Sequence, residues 1–254
     1  MFILNRIISL ASPIFIWLIW MLSPNQPNLI LLSGLSILII FFISFWQLFN
    51  RQFSKEFWRF FGLPFLFFLA SFSFSFFLMD KGPIKQIFIL FIAFLSYLIL
   101  EDIFNFLYRP HIYQTNSLET LYSNLNLLTV FFLSAIFYNL IFFLDIQSWI
   151  IMAVFPILII FLGFYFFWVN KIFNKENVSY VLIISLILTE FFWAISFSPA
   201  NFYVNSLILV LIYYLMIMLS KYHILRILNK KIIRQYLIIV IIAFLLVILT
   251  ARWR

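Results

Sequence analysis

Cysteine is absent from this chain of 254 residues, and charged residues are scarce. Without cysteine there can be no disulfide, no thiolate metal site and no cysteine nucleophile. Charged residues make up 9% of the sequence and hydrophobic residues 66%, whereas an ordinary soluble domain has about 25% and about 45–50%. This balance excludes a water-soluble fold and predicts an all-α, polytopic transmembrane helical bundle.

Glycine is also rare, because the chain has only four glycines and each is isolated. P-loops and dinucleotide-binding turns need clustered glycines, so ATP-driven transport and nucleotide cofactors are not predicted. Motifs of the H-E-x-x-H and G-x-S-x-G types are missing, and His111 and His223 have no partners at metal-ligand spacing. We therefore expect no catalytic residue that acts covalently, no cofactor and no metal site.

Nine apolar runs of about 20 residues, the length that spans a bilayer, fill almost the whole sequence. The runs are continuous and do not alternate between polar and apolar residues, which predicts helices and not barrel strands. We expect one integral membrane domain over residues 1–254, in which short loops join the spans. The predicted spans are residues 3–22, 28–49, 60–79, 84–107, 121–144, 149–169, 180–197, 203–220 and 232–250.

Lysine and arginine are distributed unequally between the two sides that nine spans create. One side receives twelve of the 16 basic residues, and the other receives Lys81, Lys85, Arg252 and Arg254. Because the more basic side faces the cytoplasm, we expect a cytoplasmic amino terminus and an outside carboxy terminus. The twelve residues are Arg6, Arg51, Lys55, Arg59, Arg109, Lys171, Lys175, Lys221, Arg226, Lys230, Lys231 and Arg234.

The last predicted cytoplasmic loop is the most basic segment of the chain. Arg226, Lys230 and Arg234 recur every four residues, and Lys231 adds a fourth charge. This pattern is typical of an interfacial amphipathic helix that contacts anionic lipid headgroups, but flanking charges that only set orientation are the commoner explanation of such a loop. The net charge of +8 is spread over such loops, so we expect lipid partners and no nucleic acid.

Three carboxylates fall inside predicted spans, where ionisable groups are costly and often functional. Glu101 and Asp102 lie in the fourth span, and Glu190 lies near the middle of the seventh. A polar stripe of Tyr97, Glu101, Asn105 and Tyr108 follows one face of the fourth helix, and we expect the fifth helix to face it.

Two interpretations of these polar residues stay open. In the first, they line a hydrated pocket that binds a proton, a cation or a substrate, with Glu190 nearby. In the second, they are hydrogen-bonded packing contacts between helices. The pocket residues would be Glu101, Asp102, Asn105, Tyr122 and Asn126.

The run from Trp193, WAISFSPANFYVNSLILVLIYY, with the basic loop and the terminal LTARWR, resembles the carboxy-terminal part of an uncharacterised family of small bacterial polytopic membrane proteins. The resemblance covers roughly the last quarter of the chain. It implies a multi-pass protein of the bacterial cytoplasmic membrane, and it carries no activity over to this chain.

Together these features favour a component of small-solute or ion transport, or of membrane assembly with a membrane-protein partner or a second copy of the chain. The alternative is an enzyme that modifies lipids or isoprenoids at the cytoplasmic face. That enzyme would need Arg109, His111 and Glu119 to converge on Glu101 or Asp102.

Overall fold

In the computed structural model, which describes residues 2–22, 27–79, 82–114, 116–174 and 176–251, the chain is helical throughout. The described residues form nine α-helices and no strand, which confirms the all-α part of the predicted fold class. The helices are α1 (Phe2–Met21), α2 (Pro27–Leu48), α3 (Lys55–Leu78), α4 (Pro83–Tyr108), α5 (Ser117–Leu144), α6 (Ser148–Val169), α7 (Glu176–Ser196), α8 (Phe202–Ile224) and α9 (Lys230–Thr250).

Seven of these helices, α3 to α9, are long and apolar enough to cross a membrane. In α1 and α2 the described apolar stretches are shorter, Asn5–Met21 and Leu32–Leu48. The chain is therefore a multi-pass membrane protein. The orientation of its termini stays a prediction, and four of the basic residues behind it lie outside the described residues. These are Lys81, Lys175, Arg252 and Arg254.

Local signals explain several helix boundaries. Ser54 caps α3 by accepting a hydrogen bond of 3.1 Å from the Phe57 amide, and the Asn229 side chain accepts one of 2.8 Å from Ile232 at the start of α9. Pro83 begins α4, where a missing amide hydrogen costs nothing. Most helices extend one to five residues beyond the predicted spans because such polar caps and first turns lie outside the apolar runs.

The chain divides into two compact units, Met1–Leu125 and Asn126–Arg254, and the division falls within α5. In the first unit, α1 packs against α2 and α4, and α3 packs against α2 and α4. Its core is rich in phenylalanine, and the Phe41 and Phe68 rings lie 4.5 Å apart. The single domain predicted from the sequence stays a prediction.

In the second unit, α7 packs between α6 and α8, and α8 also packs against α9. Tyr138, Phe155 and Phe192 stack in its core, with ring centroids 4.4 Å and 4.6 Å from Phe192. Gly163 lets α6 approach α7 closely, because a Cβ atom there would lie 3.0 Å from a Val181 methyl group. No described residue of α9 is buried.

Candidate functional site

A polar groove lies in the first unit beside the carboxyl end of α4 and the amino end of α5. The groove is open on one side and has a volume of about 470 Å³. Amide, hydroxyl and carboxyl groups form much of its wall, which is unusual for the apolar surface of a membrane protein. The described residues that line this α4–α5 groove are Leu98, Asp102, Gln114, Asn116, Ser117, Thr120, Leu121 and Asn124.

Asp102 is held in the groove by the first residue of α5. The Ser117 hydroxyl donates a hydrogen bond of 2.7 Å to the Asp102 Oδ2 atom. Asp102 lies six residues before Tyr108, the last residue of α4, which is about 9 Å along the helix axis. The carboxylate is half-buried, so it keeps access to the groove while one oxygen is fixed.

The described residues between α4 and α5, 109–114 and 116, are folded tightly and position the walls of the groove. The amides of Ile112 and Tyr113 both donate to the Arg109 carbonyl, at 3.0 Å and 3.2 Å. Asn116 has a φ of 69°, in the left-handed region that asparagine adopts more readily than most residues. Its carbonyl then accepts from the Thr120 amide and hydroxyl, at 3.1 Å and 2.9 Å.

Tyr113 fastens this segment to the start of α5. Its hydroxyl lies 3.4 Å from the Leu118 amide, which donates to it, and 3.4 Å from the Glu119 carboxylate, to which it donates. Burial raises the pKa of Tyr113, the Leu118 bond lowers it, and the Glu119 carboxylate raises it again. The phenol therefore remains a proton donor over the physiological range.

The electrostatic character of the groove is set by one charge. Among the described residues that line it, Asp102 is the only ionisable one. Gln114, Asn116, Thr120 and Asn124 are exposed and offer both donors and acceptors. One negative charge with neutral hydrogen-bonding groups suits a small polar cation and disfavours an anion.

Glu101 and its stripe face α1, so the expectation that α5 covers this face of α4 is wrong. The Glu101 carboxylate forms an ion pair with Arg6, and Asn105 donates a 3.4 Å bond to the other Glu101 oxygen. Asn5 of α1 donates to the Tyr108 hydroxyl at 2.7 Å, which in turn donates to the carbonyl of Leu48 at the end of α2.

Tyr122 is buried against α3, and its hydroxyl donates to the Phe60 carbonyl at 2.5 Å. Asn126 is buried within the second unit, where it donates to the Leu162 carbonyl at 2.9 Å and accepts from the Tyr213 hydroxyl at 2.6 Å. Both side chains thus make hydrogen bonds between helices. Of the five residues predicted to line a pocket, Asp102 alone is among the described residues of the groove.

Glu190 lies on an exposed face of α7. Because α7 begins at Glu176, four residues before the predicted span, Glu190 is beyond the middle of its helix. It belongs to the second unit, whereas Glu101 and Asp102 belong to the first. A shared site for the three carboxylates therefore stays a prediction.

The basic segment near the carboxy terminus is not one continuous helix. The last turn of α8 ends at Ile224, and Arg226 follows with a φ of 58°. Arg226 is thus separated from the face that Lys230 and Arg234 share in α9, which corrects the predicted single amphipathic pattern. All four candidate lipid contacts, Arg226, Lys230, Lys231 and Arg234, are exposed.

The three residues that the alternative enzyme function requires do not line the α4–α5 groove with Asp102. The Arg109 guanidinium lies 5.5 Å from the centre of the Phe104 ring, His111 is exposed, and Glu119 accepts from Tyr113. None of these three is among the described residues that line the groove. Within the same described part of the chain, no group of three or more histidine or acidic side chains could hold a metal ion.

Most of the residues that line the groove were not predicted from the sequence. Asn116, Thr120 and Asn124 are spaced by four residues, so they share a face of a helix. This spacing occurs just after the short segment that links the helix of Asp102 to the next helix. It was the signal in the sequence that could have predicted the groove. It was obscured because the predicted fifth span began at residue 121 and left Ser117 and Thr120 in a loop.

Comparison with protein families extends the resemblance seen at the carboxy terminus. Residues 46–250 match a family described as "Protein of unknown function (DUF5656)", which is far more than the last quarter of the chain. Comparisons with curated proteins and with solved structures gave no match. Because the matched region covers most of the sequence, the chain belongs to the DUF5656 family of proteins of unknown function.

Proposed function

We propose that this protein is a membrane-transport component that binds a small, cationic, hydrogen-bonding solute in the α4–α5 groove. The observation that supports the proposal is Asp102, a single carboxylate held by Ser117 among neutral amide and hydroxyl groups. A charged-group hydrogen bond to a ligand is worth about 1.5–3 kcal/mol, so one carboxylate can dominate selectivity.

The groove extends along α5 beyond the first turn of the helix. Asn124 lies seven residues after Ser117, the first residue of α5, or about 10 Å along the axis. Thr120 and Asn124 are exposed although they lie in a helix long enough to span the membrane. Exposed polar groups at that depth are best satisfied by water or by a polar ligand. By its charge distribution, this end of α4 and α5 faces the cytoplasm.

The same chemistry could come from a free amine or from the ammonium headgroup of a lipid. Binding should be measured with the purified full-length chain, using ethanolamine, choline and spermidine as soluble probes and glutamate as an anionic control. Vesicles with phosphatidylethanolamine or with phosphatidylglycerol form the lipid arm. A free solute is indicated if a soluble amine binds in both vesicle types, and a lipid headgroup if only phosphatidylethanolamine stabilises the protein.

Asp102→Asn is the decisive variant, and Asp145→Asn is its matched control. Asp145 is an exposed aspartate with a φ of 48° between α5 and α6, and asparagine tolerates that conformation. We expect Asp102→Asn to weaken amine binding about tenfold or more, and Asp145→Asn to leave it unchanged. Equal binding by both variants, or preferential binding of glutamate, would refute the cation site.

A second candidate function, membrane assembly, is supported by α9. Its exposed apolar surface runs along most of its length, and none of its described residues is buried. A helix that packs mainly against α8 leaves the rest of its apolar surface available to a membrane partner. If a deletion of residues 230–254 leaves amine binding intact but releases a co-purifying membrane protein, assembly is favoured.

A further inference from the structure

One face of α7 carries an exposed stripe with the spacing of a helix-pairing surface. Six residues follow one another at intervals of four, three, four, three and four, and each of them is exposed. Hydrophobic residues at a mean spacing of 3.5 form the seam along which two helices pack knobs into holes. The α7 stripe consists of Ser179, Ile183, Leu186, Glu190 and Trp193 of the helix and Phe197 of the turn that follows it.

Glu190 is the ionisable member of this stripe. It lies six residues before Ser196, the last residue of α7, which is about 9 Å along the axis. No hydrogen bond or ion pair joins it to any residue in the part of the chain that the structure describes. On a helix that is long and apolar enough to span a membrane, an exposed carboxyl group without a partner is costly, so Glu190 calls for a partner from outside the chain.

We propose that a second copy of the chain packs against the α7 stripe in the same orientation, so that the two Glu190 carboxyl groups hydrogen-bond to each other. A two-fold axis along the membrane normal places identical residues opposite one another at equal depth. A protonated carboxyl group has one donor and one acceptor, and a second carboxyl group satisfies both. The contact is therefore self-complementary.

The exposed surface of α9 does not offer the same argument. Beyond Arg234 and its neighbours Gln235 and Tyr236, the exposed residues of α9 are apolar as far as Thr250. Lipid or an apolar membrane partner satisfies such a surface equally, and nothing in it selects a register. The α7 stripe differs because Glu190, its one ionisable residue, lies among apolar residues and so fixes the register and the partner.

The inference is independent of the proposed function, because the α7 stripe and the α4–α5 groove share no residue. Its test uses the purified full-length chain, labelled with a fluorophore and reconstituted into liposomes of palmitoyl-oleoyl lipids at decreasing protein density. We expect the native chain and Glu190→Gln to dimerise, because an amide pair also has matched donors and acceptors. Glu190→Leu should dimerise about three- to thirtyfold more weakly, the range of hydrogen bonds between membrane helices.

Disulfide trapping locates the contact, and the absence of native cysteine makes each introduced cysteine unique. Ile183→Cys should form dimers on oxidation, whereas Ile239→Cys should not. The two isoleucines are matched, because they are 55% and 52% exposed and lie at similar distances from the starts of α7 and α9.

Circular dichroism and thermal unfolding of Glu190→Leu serve as the folding control. The proposal is overturned if folded Glu190→Leu dimerises as tightly as the native chain, or if the native chain is monomeric at every density. It is also overturned if Ile239→Cys is trapped as readily as Ile183→Cys. Loss of dimers in Glu190→Gln alone would indicate an ion pair with a basic partner and would equally refute the carboxyl pair.

Discussion

The Ser117 hydroxyl donates a 2.7 Å hydrogen bond to the Asp102 carboxylate and so joins the first residue of α5 to α4. The bond fixes one carboxylate oxygen and leaves the other for a ligand. It also closes the segment between the two helices, whose polar side chains form the mouth of the groove.

Removing the hydroxyl should disturb the position of Asp102 without removing its charge. We expect Ser117→Ala to weaken binding of a soluble amine about three- to tenfold, less than Asp102→Asn does, because a typical hydrogen bond contributes about 0.5–1.5 kcal/mol. Ser117→Thr keeps the hydroxyl and should restore affinity. Calorimetry on the three variants measures this, and identical affinities for Ala and Thr would show that the bond does not position the carboxylate.

The ion pair between Arg6 and Glu101 should stabilise the first unit. We expect Arg6→Gln to lower the free energy of unfolding by about 1–3 kcal/mol, because the partly buried Glu101 carboxylate loses its charged donor. The double variant Arg6→Gln, Glu101→Gln should recover part of the loss, because neutral amides tolerate one another. Denaturation of the native chain, Arg6→Gln, Glu101→Gln and the double variant in mixed micelles completes the double-mutant cycle, and additive effects would contradict the pairing.

In the second unit, Tyr213 should matter for packing more than for binding. Its buried hydroxyl donates to Asn126, which in turn donates to Leu162. We expect Tyr213→Phe to cost about 1–2 kcal/mol of stability and to leave amine affinity unchanged. Tyr180→Phe is the control, because its hydroxyl has no hydrogen bond to any described residue. An equal loss in both variants would mean that the Asn126 bond contributes nothing.

The orientation predicted from basic residues can be tested on two exposed loop positions. His111 precedes α5 and Gln147 follows it, so their loops lie on opposite sides if α5 crosses the membrane. In intact cells, a membrane-impermeant maleimide should label Gln147→Cys and should label His111→Cys only after permeabilisation. The reverse pattern would invert the topology, and labelling of both would contradict the crossing by α5.

The segments that form helices were predictable, because a long continuous apolar run in a membrane satisfies its own backbone hydrogen bonds only as a helix. The neighbours of each helix were not predictable. Spacing along α4 shows that Glu101 and Tyr108 share a face, but nothing in it shows that α1 covers that face. Arg6 and Glu101 are 95 residues apart, and such a pairing depends on tertiary packing.

The candidate site was predicted only in part, for a related reason. Tyr122 and Asn126 are four residues apart on α5 and were expected to share a pocket with Asp102, yet each bonds to the backbone of another helix. Polar side chains that satisfy a neighbouring carbonyl look the same in a sequence as those that bind a ligand. Asp102 differs because its partner, Ser117, leaves it half-exposed beside a cavity.

The most direct test of a hydrated, cation-selective groove is the chemical reactivity of Asn124→Cys, because the native chain has no other thiol. Two methanethiosulfonate reagents, one with a trimethylammonium group and one with a sulfonate group, differ in the sign of their charge. Beside a carboxylate in water, their electrostatic interaction energies differ by roughly 1 kcal/mol. The ratio of the reaction rate of the cationic reagent to that of the anionic reagent should be about fivefold higher at Asn124→Cys than at Gln147→Cys. Asp102→Asn should abolish this preference. No reaction at Asn124→Cys, or a preference that survives Asp102→Asn, would contradict a hydrated, cation-selective groove.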